Sequence, residues 1–279
     1  MDALRTWRPG KKDLAEVLLL GSALPLYFLV RGSAHERVGQ AIVRSVQLIK
    51  LERSLGIFWE ADLQRWVLSY DWLVELLNAV YLYGHFPVIA ALALWLYFWH
   101  RPQYLLMRNA FLISGGIGLI VYLLFPVAPP RFVPEWGFVD TVFNQYNTGR
   151  PLTPSFFTNE YAAVPSLHFG WNLLVGVAVW LASKRIGLRS FAVVMSLVML
   201  ATIILTANHF FLDAAAGLLV VAMGMAVAIA VRSLVSRYRA KDRGVARAKA
   251  LKSWVYWLCG VADPSERPQA RVGQGTQAA

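Results

Sequence analysis

Thr206-Ala-Asn-His209-Phe-Phe-Leu-Asp213-Ala-Ala-Ala-Gly217 is the stretch that decides how this chain folds. It separates two apolar runs, about Ser190 to Thr206 and about Phe210 to Val231, each near the roughly twenty residues an α-helix needs to cross a bilayer. Polar residues therefore sit where one span ends and the next begins, at a membrane surface. His209 and Asp213 are four apart, which puts them on one helix face a turn from each other. A carboxylate placed there holds one imidazole tautomer and stabilises its charged form. A lone histidine at a span end is more often an interfacial hydrogen-bonding group than a catalyst, but ionisable groups within spans are costly and mark function. Upstream, Ala162-Ala-Val-Pro165-Ser166-Leu-His168-Phe-Gly170 opens another apolar run and supplies a second histidine.

The 279 residues are 57% hydrophobic and 15% charged, with a mean hydropathy of +0.49, a composition outside the soluble globular range. The net charge of +11 gathers at alternate span ends and in the tail, so topology accounts for it better than nucleic acid does. A single cysteine, Cys259, excludes an intramolecular disulfide and a cysteine-rich metal site.

The pattern predicts an all-α, polytopic integral membrane protein: a six-transmembrane-helix bundle with interfacial amphipathic helices. Residues 1–33 hold a basic start and a retained first span, Leu14 to Val30, ending at Arg31 without a small-residue cleavage site. Residues 34–77 carry amphipathic helices. In the first of these Val38, Ile42, Val46 and Ile49 form an apolar stripe opposite Arg37, Gln40, Arg44 and Gln47, suiting a helix in the interface or one packed on the bundle. Residues 78–231 form the catalytic core of five spans: Asn78 to Trp99, Tyr104 to Phe125, Ala163 to Leu181, Ser190 to Thr206 and Phe210 to Val231, with an outer loop at 126–160. Residues 232–279 are a basic cytoplasmic tail in which Trp254-Val-Tyr-Trp257 suits a membrane surface and the last residues read as disordered.

With six spans, the amino terminus, the loop from His100 to Arg108, the loop Lys184-Arg185 to Arg189 and the tail share one basic side, which should be cytoplasmic. Both termini are then cytoplasmic, and His168 and His209 open on the extracytoplasmic face of the cytoplasmic (inner) membrane. Arg101 and Arg108 fall at the other end and read as topology charges, a bilayer thickness of roughly 30 Å from the histidines.

At these residues the chain resembles the type 2 phosphatidic acid phosphatase superfamily, over about residues 34 to 230. Pro165-Ser166-Leu167-His168 and His209-Phe-Phe-Leu-Asp213 match its Pro-Ser-x-His and His-x-x-x-Asp motifs in order and spacing. The phosphatase pattern also has Ser-Arg before the second histidine, where this chain has Thr202 and Ile203, and a Lys before the position of Pro129-Pro130-Arg131. Together with Phe125-Pro-Val-Ala-Pro-Pro-Arg131, Gly137-Phe-Val-Asp-Thr141 and a Tyr-x-x-x-His-Phe pattern at Tyr81 and His85, this looks more like the inositol phosphorylceramide synthase-like (inositolphosphotransferase) branch.

The resemblance implies a membrane-embedded lipid phosphotransferase or phosphatase that uses a phosphohistidine and no cofactor or metal. His209 attacks phosphorus, Asp213 orients it, and His168 protonates the leaving group and then serves as base towards an alcohol or water acceptor. Arg131 is the candidate phosphate clamp, with membrane snorkelling as its plainer reading. Ser166 is expected to cap its helix and leave amides for an anion, and Asn208 to cap the helix behind His209. Tyr81 and His85 line an acceptor pocket or bond a helix neighbour; Arg150 is a weaker phosphate candidate, and His35 and His100 read as interfacial. Trp136, Phe138, Phe143, Tyr146 and Phe156 suit a lid over a headgroup or plain membrane anchors. Two other classes compete: a lipid transporter using the intramembrane polar groups, and a cytochrome in which both histidines face one haem.

Overall fold

The computed structural model describes residues 10–32, 37–142, 161–241 and 249–261. Among them it is all-helical, without strands. The helices are α1 (Lys11–Gly32), α2 (Val38–Ser54), α3 (Glu60–Val67), α4 (Asp71–Ala79), α5 (His85–Trp99), α6 (Arg101–Leu124), α7 (Leu167–Ala182), α8 (Ile186–Leu205), α9 (Phe211–Lys241) and α10 (Lys249–Leu258). A π-helical turn, Val80–Gly84, joins α4 to α5, and two short 3-10 turns, Pro130–Phe132 and Pro134–Trp136, follow α6. His35, Arg150, Phe143, Tyr146 and Phe156 lie outside the described residues.

Four helical stretches are long and apolar enough to cross a membrane: Asp71–Trp99, Arg101–Leu124, Ile186–Leu205 and Phe211–Tyr238. The chain is a multi-pass membrane protein. Outward-facing Leu94, Ile120, Leu124, Leu181, Leu197 and Leu219 are exposed, as side chains meeting lipid rather than water are. The main apolar cluster is built chiefly from α5, α6, α7 and α9 around Leu105, Trp171, Leu174 and Val221, with smaller clusters beside it.

Two expectations change. The span from Ala163 begins later, because Ala163 N–H donates to Val127 O at 3.0 Å and Val127 N–H to Tyr161 O at 2.9 Å, drawing those residues into an extended pairing. That leaves α7 with 16 residues, about 24 Å of helix against a hydrocarbon core of roughly 30 Å. The buried face of α2 is also rotated from the expected stripe: Ala41, Ser45, Ile49 and Glu52 are buried, while Val38 is exposed. Small side chains on that face let the 126–131 segment approach, so that Ala128 N–H donates to Ala41 O and Ser45 Oγ donates to Ala128 O. This helix is packed on the bundle, with Val43, Leu51 and Leu55 left exposed.

At the end of the bundle away from His85, Arg108 is not a free topology charge. It is buried, pairs with Glu16 at 2.8 Å and donates to the carbonyls of Trp257 and Leu258, both at 3.0 Å. Arg101 lies over the Tyr97 ring, 4.0 Å from its centroid and 4.0 Å from Asp13. Trp257 is buried under Arg108, so of the two tryptophans in α10 it is Trp254 that stays partly exposed.

Candidate active site

The starts of α7 and α9 are pinned to each other. Ser166 N–H donates to Asp213 O at 2.9 Å, and a Cβ on Gly217 would stand 2.2 Å from Ser166 O, so only glycine permits that approach. Gly170 repeats the device one turn on, where a Cβ would meet Gly217 O at 3.0 Å. This contact brings His168 and His209 together, with ring centroids 5.8 Å apart.

The turn carrying His209 is held from three directions. Asn208 and His209 both donate their N–H to Ile203 O, Ala207 takes a left-handed φ of 52°, and Arg131 N–H donates to Ala207 O at 3.0 Å. The Arg131 guanidinium donates to Asn208 Oδ1 and lies 3.7 Å from Asp140. His209 Nδ1 is 3.3 Å from Asp213 Oδ2, which also accepts the Phe210 N–H at 2.9 Å. A carboxylate can only accept, so this contact is a donation from Nδ1–H of His209 to Asp213.

Around His168 the structure gathers Tyr81 and His85, with ring centroids 4.5 and 4.8 Å from the His168 ring. Tyr81 belongs to the π-helical turn and His85 directly follows it, an irregularity often found at functional sites. Asn172, absent from the sequence reading, sits 2.6 Å from His85 Nδ1 and donates to His168 O at 2.9 Å. Its signal in the sequence was weak: one polar residue, four beyond a histidine, in an apolar run.

The capping expectations need correction. Ser166 is the N-cap residue of α7, yet its side chain makes no capping bond, and its buried Oγ has no hydrogen-bond partner. Asn208 does not cap α9; its side chain bonds Arg131 and Thr206 Oγ1. The opening amides of α9 go instead to the side-chain carboxyl groups of Asp213, Glu60 and Glu52, which leaves them no place for an anion. Glu52 and Glu60 were not anticipated. Ile203, where the phosphatase pattern has Arg, is buried in an apolar cluster with Met199, Ile204 and Ala214. His100 lies tilted against Trp95 with ring centroids 4.4 Å apart, and Trp136 and Phe138 pack edge-on against Phe58. Among the described residues no group of three or more His, Cys, Asp or Glu side chains is arranged to hold a metal ion.

Residues 46–227 match a family model described as the PAP2 superfamily. No curated protein and no solved structure gives a significant match.

Proposed function

The chain belongs to the PAP2 superfamily, and on that premise we propose that this phosphoesterase-type membrane enzyme transfers a phospho-headgroup from a lipid phosphodiester to an alcohol. His209 Nε2 attacks phosphorus while His168 gives a proton to the departing oxygen; an acceptor hydroxyl, deprotonated by His168, then displaces His209 from phosphorus. The observation that carries this reading is the facing pair of imidazoles, 5.8 Å apart on two helix starts locked by Ser166 and Asp213. That gap suits one phosphorus centre between a nucleophile and an acid.

Three further features support the phosphate roles. Ser166 makes no side-chain cap at the first turn of α7, and its buried, unpartnered Oγ is a donor available to a phosphate oxygen at that helix start. Arg131 supplies a fixed cation next to the His209 turn. Tyr81 and His85 wall the acceptor side of His168.

Transfer is favoured over hydrolysis by the charge available. Asp140 offsets part of the Arg131 charge, and position 203 is apolar. Such a site suits a phosphodiester with one negative charge better than a monoester with nearly two. The same reading has six spans, both termini cytoplasmic, the histidines facing outward from the inner membrane, and branch membership among inositolphosphotransferases. The gathering of Asp13, Arg101, Lys184 and Arg185 with α10 at the end away from His168 supports that orientation.

The test compares phosphatidic acid with intact phospholipids as donors, with and without a lipid alcohol, in detergent micelles of the purified protein. Acceptor-dependent product from the diesters is expected. Rapid phosphate release from phosphatidic acid, with no acceptor-dependent product, makes the chain a phosphatase instead.

A further inference from the structure

Glu52 lies in the last turn of α2 and Glu60 begins α3, and both are fully buried. The chain reverses between them at Gly56, whose φ of 71° is open to glycine without strain. Each sends Oε1 across the fold to the start of α9: Glu60 accepts the Phe211 N–H and Glu52 the Leu212 N–H, both at 2.9 Å. Asp213 takes the preceding amide, that of Phe210, at the same distance. Three carboxyls from three helices thus converge on three successive amides.

Three negative charges cannot share such a place. Next to it in the chain is a buried apolar cluster of Ile49, Ala61, Val133, Phe138, Ala207 and Phe210, in which Ala61 follows Glu60 and Phe210 precedes the amide that Glu60 accepts. The charged groups acting on Glu52 are Glu60 from α3 and Asp213 from α9, with His209 bonded to Asp213; on the segment after α6, Arg131 is engaged with Asn208 and Asp140. The helix N-terminus offers only about half a unit of positive charge. The second oxygens, Glu52 Oε2 and Glu60 Oε2, are both buried without a hydrogen-bond partner. One proton held between the two carboxyls supplies the missing donor and removes one charge. In keeping with this, the Glu52 carboxyl is pushed up to about 9, first by burial, then by the Glu60 carboxyl, with the Asp213 charge adding and the Leu212 N–H opposing.

We propose that Glu52 and Glu60 are a proton-sharing carboxyl pair that fixes the start of α9 and thereby positions His209 and Asp213 for reaction. The proposal rests on the reading of His209 as nucleophile. Neither glutamate touches the reacting atoms. They act through the helix start: Phe210, Phe211 and Leu212 immediately follow His209, and Asp213 bonds His209 from the same turn. A pair that loses its shared proton sets a second full charge against Asp213 and loosens that turn.

The test uses the full-length protein with Glu52→Ala, Glu52→Gln and His209→Ala variants, reading kcat and KM against pH together with hydrogen exchange at the Phe211 and Leu212 amides. A glutamine at 52 keeps an acceptor for Leu212 and gives Glu60 a permanent donor, but cannot titrate. Glu52→Ala should lose about 100-fold in kcat with little change in KM, the size expected when reacting groups shift by about an ångström, and its two amides should exchange faster. Glu52→Gln should restore kcat to within a few-fold and lack the wild-type fall in activity as pH approaches about 9. A wild-type kcat with unchanged exchange in Glu52→Ala, a Glu52→Gln variant as impaired as Glu52→Ala, or an unaltered alkaline limb in Glu52→Gln overturns the pair. Full activity in His209→Ala overturns the nucleophile reading instead, so the two failures are read apart.

Discussion

Oδ2 of Asp213 serves two partners at once, lying 3.3 Å from His209 Nδ1 and 2.9 Å from the Phe210 amide it accepts. The backbone bond fixes the carboxylate at the first turn of α9, and the carboxylate fixes the imidazole. His209 is thereby presented in one tautomer without depending on a flexible side chain for its orientation.

Replacing His209 by Ala should abolish turnover. Asp213→Asn keeps the size of the side chain but brings an amide to Nδ1, so kcat should fall on the order of 10³-fold or more through the wrong tautomer. Activity should survive EDTA, because the proposed steps run through His209, Asp213 and His168 alone. Zinc-restorable loss on chelation would refute this chemistry.

Asn172 bridges His85 Nδ1 and the His168 carbonyl. Asn172→Ala should leave His85 and the first turn of α7 unanchored, lowering kcat by about ten-fold or more while substrate binding changes less. A larger change in KM than in kcat would assign Asn172 to binding.

The approach of α9 to α7 leaves no room for a methyl group at Gly217, 2.2 Å from Ser166 O, or at Gly170, 2.9 Å from Val221. Gly217→Ala should destabilise the protein by about 1–3 kcal/mol or more, since a backbone carbonyl cannot swing aside as a side chain can. Gly170→Ala should cost less, because Val221 can shift in part. Thermal midpoints in detergent measure both, and equal midpoints for Gly217→Ala and wild type would contradict the packing.

The Glu52 carboxyl, ordinarily near 4.5, sits near 9 in the folded protein, so between those values the native state keeps a proton that the unfolded chain has released. Stability should be fullest below about pH 4.5 with respect to this group, and should decline as pH rises through about 9. Denaturant midpoints of Glu52→Gln should lack that slope; a slope of the opposite sign in the wild type would show that other groups govern the alkaline limb.

Reporters inserted after residues 147 and 184 should report opposite sides of the membrane, with residue 184 cytoplasmic. The same side for both would remove the six-span topology and the shared outer face of the histidines.

Much of this protein was legible in its sequence, because the signals are local. Apolar runs near twenty residues long announce spans wherever they occur, and the interval from His209 to Asp213 is one helical turn in any helix. Pro165 and Ser166 mark a helix start before His168 by the same local rules. What local rules could not decide was which polar side chains would be buried, and against what. On its own helix Glu52 is one more charged residue; it becomes interior only because a backbone amide 160 residues later needs a partner, as Glu60 does for one 151 residues later. The face α2 buries, the late start of α7 and the place of Asn172 beside two histidines all depended on contacts between elements far apart in the chain. The sequence by itself determined the helices and the residue types at their ends. Tertiary packing decided which carboxyls took the amides at the start of α9, because a buried N–H must find an acceptor and the acceptor at hand is set by the fold.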